Sequence, residues 1–89
     1  MARVVFTENI QRHVECPETE ATGGSVREVL DNVFAANPQA RSYVLDDQAA
    51  LRRHMTIFVD GRAVRDRARL SDPVAAGSTI HVFQALSGG

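Results

Sequence analysis

The sequence contains no lysine: all ten of its basic residues are arginine. Genome base composition is one sufficient cause. The chemical consequence holds whatever the cause, because arginine stays protonated and is a poor nucleophile, so a carboxylate activated on this chain meets no side-chain ε-amine of its own. Cysteine is nearly absent too. With Cys16 alone no intramolecular disulfide can form, and the redox compartment stays open. The formal charge of −1 lacks the basic excess with which proteins hold nucleic acid, and no apolar run reaches the length of a membrane span. The opening Met1-Ala2-Arg3-Val4-Val5-Phe6-Thr7 is too short and too strand-like for a signal peptide. These absences lead us to expect a cytoplasmic protein with neither a nucleic-acid nor a membrane partner.

What is present suits one small domain. At 89 residues the chain lies near the lower end of what buries a self-sufficient core, and 44% hydrophobic with 24% charged residues is an ordinary globular balance. Arg3 to Thr7 is β-rich, with Val4 and Phe6 on one face and Arg3, Val5 and Thr7 on the other. After Glu8-Asn9, Gln11 to Cys16 alternates again: Arg12, Val14 and Cys16 share a face, and His13 and Glu15 point the opposite way. Two strands so close predict a hairpin. Pro17 to Gly24 has no periodicity and several breakers, which predicts a loop.

Ser25 and Glu28 form a capping box at a helix start, and Val26, Val29, Leu30, Val33 and Phe34 make one apolar stripe. Asn37-Pro38 should stop this helix, the only one the pattern supports. Tyr43-Val44-Leu45 suits a brief strand or turn. His54 to Val59 is a strand ended by Asp60-Gly61, and this turn pair should fold Arg62-Ala63-Val64 back on it. Arg65 to Ala76 is irregular, with Leu70 as an anchor and Pro73 excluding a central strand, and Thr79 to Gln84 is the last strand. The order predicts an α+β domain, a single mixed sheet with the helix across one face, whose first and last strands can lie side by side in parallel.

Self-contained chemistry is hard to find. His13, His54 and His81 lack a metal-like spacing with Cys16, which reads as a small buried hydrophobe. Asp46-Asp47 is explained by a polar turn, and Gly23-Gly24-Ser25 lacks the lysine and spacing of a phosphate loop. Three features remain. If Met55, Ile57, Val59, Ile80 and Val82 face the helix, then Phe58, His81 and Phe83 lie on the open face, a candidate partner surface; a covering loop or swapped faces would bury them instead. Arg52, Arg53, Arg62, Arg65, Arg67 and Arg69 form either a dock for an acidic partner or a solvated surface. The third is the diglycine Gly88-Gly89, which enters slots too narrow for side chains and lets a partner's backbone approach the carboxylate.

The segment Ile57-Phe58-Val59-Asp60-Gly61, the run Val74-Ala75-Ala76-Gly77-Ser78-Thr79-Ile80 and the closing Leu86-Ser87-Gly88-Gly89 resemble the ubiquitin-like β-grasp sulfur carriers. That family includes the small subunit of molybdopterin synthase (MoaD), the thiamine carrier (ThiS) and the cysteine carrier (CysO). The sequence departs from the shorter carriers at Pro17 to Gly24 and Tyr43 to Arg53, and its length is nearer to the cysteine-type carriers and the archaeal modifiers. The resemblance implies a β-grasp domain over 1–84 and a flexible diglycine tail over 85–89. It implies that an E1-like enzyme, using ATP, adenylates Gly89 and that a sulfur donor, a sulfurtransferase or cysteine desulfurase, converts it to a thiocarboxylate for a sulfur-accepting biosynthetic enzyme. Ala85, Leu86, Ser87 and Gly88 would form the arm. The chain would then be a carrier or a non-catalytic synthase subunit, holding no cofactor and no metal. Two alternatives stand beside this one: a ubiquitin-like modifier joined through Gly89 to target lysines, and a regulatory binding module with an incidental diglycine.

Overall fold

The computed structural model describes residues 1–84. In chain order the elements are β1 (Ala2–Phe6), α1 (Glu8–Gln11), β2 (Thr19–Ala21), α2 (Val26–Ala35), α3 (Pro38–Val44), β3 (Met55–Val59), β4 (Arg62–Ala63) and β5 (Thr79–Gln84). They form a mixed sheet in the order β2-β1-β5-β3-β4, in which β1 and β5 are parallel and every other pair is antiparallel. The terminal strands are therefore the centre of the sheet. Its inner face presents Ala2, Val4, Phe6, Met55, Ile57, Ile80 and Val82, all buried, to Val26, Val29, Leu30, Val33 and Phe34 of α2. Phe6 meets Phe34 with ring centroids 6.3 Å apart.

Helix α2 starts where the capping box predicts. The Glu28 N–H donates to Ser25 Oγ at 3.2 Å, and Glu28 Oε1 accepts from the Gly24 N–H at 2.8 Å. The two earlier free N–H groups are met from a distant loop, Val26 donating to the Asp72 carbonyl and Arg27 to the Leu70 carbonyl. That loop is held in turn by Leu70, which is fully buried although its φ of 55° is left-handed. Such a conformation costs a non-glycine residue of order 1–2 kcal/mol, comparable to what burying a leucine returns. Gly23 lies so close to the first turn of α2 that a Cβ there would stand 2.7 Å from the Val29 backbone nitrogen. In the β3–β4 turn Asp60 and Gly61 both have positive φ, 50° and 86°, as a tight hairpin requires.

Three expectations are corrected. Gln11 to Cys16 is not a strand: Glu8–Gln11 is a short helix, and its continuation donates from His13 and Val14 to the Ile10 carbonyl. Ile10, fully buried, sets this geometry, since a helical turn carries it under the sheet where a strand directly after Phe6 would not. The second strand is Thr19–Ala21, inside the stretch read as loop, paired antiparallel with Ala2, Arg3 and Val4. Finally, Pro38 does not only end α2. It opens α3 at a first-turn position where its missing N–H costs nothing, with the Asn37 side chain accepting from the Ala40 N–H at 3.3 Å.

Candidate functional site

Strand alternation sends every second residue of β1, β3 and β5 away from α2. On this outer face the register places Val5 beside His81, His81 beside Phe58 and Phe58 beside Ala63, with Phe83 opposite Thr56. The Phe58 and Phe83 rings meet edge to face at 5.4 Å, and His81 lies 6.0 Å from Phe83. No loop among the described residues covers them: Phe83 is 38% exposed, while Phe58, His81 and Val5 are half-buried. Phe58, His81 and Phe83 are thus brought together as alternation predicts. Val5, the fourth member, went unmarked in the sequence because its closeness to His81 depends on the register of β1 against β5; its place opposite Val4 and Phe6, on the face it shares with Arg3 and Thr7, was the available signal.

One edge of this face is charged. Arg3 pairs with Glu18, and the Arg3 guanidinium holds the Glu18 carboxyl below the usual carboxylate range, with His81 a smaller contributor. The other edge carries Asp60, whose two carboxylate oxygens accept from the Thr79 N–H at 2.9 Å and the Ser78 hydroxyl at 2.8 Å. These donors hold its carboxyl below the usual range, the Thr79 N–H first, and fasten the β3–β4 turn to the start of β5.

At the opposite end of β5 stands Gln84, paired with Met55. The Tyr43 hydroxyl donates to Gln84 Oε1 at 2.8 Å, and His13 stacks on the Tyr43 ring at 5.8 Å. Ala85, Leu86, Ser87, Gly88 and Gly89, the tail and reaction site expected from the sequence, lie outside the described residues.

The arginine group divides. Arg67 is half-buried and donates to the Met55 and Arg52 carbonyls at 2.7 and 2.8 Å, and Arg52 donates to the Ser42 carbonyl at 3.0 Å, so these two are structural staples. Arg53, Arg62, Arg65 and Arg69 are exposed. Cys16 is buried, its thiol donates to the Val14 carbonyl, and burial pushes its pKa up, away from a reactive thiolate. Among the described residues no three His, Cys, Asp or Glu side chains gather to hold a metal ion, and no helix is long and apolar enough to cross a membrane.

Residues 4–89 match the model of the ThiS family. The chain belongs to that family. No curated protein matches it in sequence. Solved structures share its fold: a chain of the Amycolatopsis orientalis BexX/CysO complex, 23% identical, superposes with a TM-score of 0.83 over 100% of both chains. SAMP1 from Haloferax volcanii, 24% identical, gives 0.78 over 99% of this chain and 98% of its own. Mycobacterium tuberculosis CysO, 19% identical, gives 0.80 over 97% of this chain and 100% of its own. With its mixed five-strand sheet clasping α2, this member of the ThiS family is a ubiquitin-like β-grasp protein of the sulfur-carrier class.

Proposed function

We propose that the protein is a sulfur carrier that works through the carboxylate of Gly89. An E1-like partner, using ATP, converts this carboxylate to an acyl-adenylate. A persulfide carried by a sulfurtransferase or cysteine desulfurase then attacks the carbonyl carbon and AMP leaves. A second thiol cleaves the S–S bond of the acyl disulfide so formed, releasing the thiocarboxylate and ending as a disulfide with the donor cysteine. The sulfur passes to a biosynthetic enzyme for molybdopterin, thiamine, cysteine or a specialised metabolite. The chain is substrate throughout and supplies no catalytic group. One observation carries this reading: the ThiS-family match runs through Gly89 and so includes the diglycine. The outer aromatic face of Phe58, His81 and Phe83 suits the docking of the adenylating partner, since a few aromatic anchors carry most of an interface's energy.

Incubation with a cognate adenylating enzyme, ATP and a sulfur donor should raise the intact mass by one oxygen-to-sulfur exchange. Removing Gly89, or Gly88→Leu, should abolish the exchange while leaving the melting temperature unchanged. An unmodified wild-type mass beside a control carrier that reacts would overturn the proposal. A second reading is favoured by the SAMP1 likeness, because small archaeal modifier protein 1 is the name of that relative. Under it Gly89 is joined to target lysines, and isopeptide-linked conjugates in cell extract would select it.

A further inference from the structure

The end of β5 is less well supported than its middle. Pairing with β1 stops at Phe6 and Val82, where the Thr7 N–H makes the last backbone bond to the Val82 carbonyl and the chain turns into α1. Beyond that point, among the described residues, Phe83 and Gln84 keep a strand neighbour only on the β3 side, through Thr56 and Met55. Alternation points Gln84 to the α2 side, where Ile80 and Val82 are fully buried, so it is the one polar residue at the end of an apolar row. Its side-chain oxygen receives the Tyr43 hydroxyl from α3, and Tyr43 is stacked in turn by His13 from the segment after α1. Two segments distant in sequence thus close on the last residue of the strand.

We infer that Tyr43 is a positioning residue. By holding Gln84 it fixes the point from which the remaining five residues run to Gly89. Fully extended, five residues span no more than about 18 Å, so each residue that frays from the strand end adds about 3.5 Å of loose chain and spreads the positions open to the carboxylate. Displacements of that size matter when two reacting atoms must meet at about 3 to 3.5 Å. Tyr43 therefore acts on the adenylation step through Gln84, without touching the reacting atoms and without forming the docking face. The inference rests on the carrier reading for its kinetic consequence, but the clamp itself has an independent readout.

The test is a double-mutant cycle of Tyr43→Phe, Gln84→Ala and the pair, followed by adenylation kinetics with the partner enzyme and by hydrogen exchange over residues 82–84. Each single change should lower kcat for adenylation about three- to tenfold, the size expected from one lost hydrogen bond, with KM for the carrier nearly unchanged because the outer face is intact. The pair should be no worse than either single change, since both remove the same contact. Exchange over 82–84 should quicken in all three variants. Additive losses, a rise in KM with kcat unchanged, or unaltered exchange in Tyr43→Phe would overturn the inference. If the wild-type protein is never adenylated, the carrier reading fails while the exchange measurement still decides the clamp.

Discussion

The two faces of the sheet are made by the same strands, yet they differ sharply. On the inner face Met55, Ile57, Ile80 and Val82 have no solvent-accessible surface and meet α2; on the outer face, one residue along, Phe58 and His81 are half-buried and Phe83 is 38% exposed. The inner face is what makes the chain fold, because there the sheet and helix remove apolar surface from water together. The outer face has no such partner within the described residues, so its aromatic surface is open to the docking proposed above. A substitution on one face should be read out in stability and on the other in binding.

The sharpest way to break this comparison is truncation on the inner face. Ile57→Ala or Ile80→Ala should cost the folded state about 2 to 5 kcal/mol, measured by denaturant melts, because each removes fully packed atoms and leaves a cavity. Phe83→Ala should weaken binding to the adenylating partner by about 1 to 3 kcal/mol while shifting the melt much less. Phe58→Ala tests the boundary: half-buried and packed edge to face on Phe83, it should lose both binding and more stability than Phe83→Ala. A loss for Phe83→Ala as large as for Ile80→Ala would dissolve the distinction between the faces.

A smaller effect concerns the joints at the rim. Asp60, receiving the Thr79 N–H and the Ser78 hydroxyl, and Asp66, receiving the Ser71 hydroxyl and the Arg69 N–H, both have carboxyl pKa values below the ordinary range. A depressed folded-state pKa contributes stability that is fully present above the unfolded value of about 3.9 and is lost as pH falls through the lower folded value. Melting temperature should therefore decline on the acid side of about pH 4, and Asp60→Asn and Asp66→Asn should each flatten that decline. An unchanged acid limb in both variants would show that these carboxylates do not govern it.

The elements that were legible in the sequence are those whose cause is local. Ser25, Glu28 and the spacing of Val26, Val29, Leu30, Val33 and Phe34 specify α2 within a few turns, and Asp60-Gly61 specifies its hairpin through backbone preference alone. The triad of Phe58, His81 and Phe83 was legible for the same reason, since strand alternation assigns faces without any knowledge of neighbours. The connection from Thr7 to Gly24 was not. Its alternation at Gln11 to Cys16 imitates a strand, while the observed path depends on where Ile10 and Cys16 find cover and on Thr19–Ala21 reaching the free edge of β1. The helix Pro38–Val44 was missed although Asn37-Pro38 carries a start signal as well as a stop signal, because its Ala40 and Val44 are too few to make a periodic stripe.

Composition and pattern by themselves determined the class of the protein: an α+β fold built on the amphipathic helix α2, with no lysine and with the diglycine Gly88-Gly89. Only the tertiary structure decided that β1 and β5 lie together at the centre of the sheet, that Val5 joins the aromatic face, that Arg52 and Arg67 serve as backbone staples, and that Tyr43 reaches Gln84. The division has one physical reason. Capping, turn geometry and amphipathic period act within a few residues, whereas a contact between residues 41 positions apart, as between Tyr43 and Gln84, exists only once the whole chain has closed around a shared core.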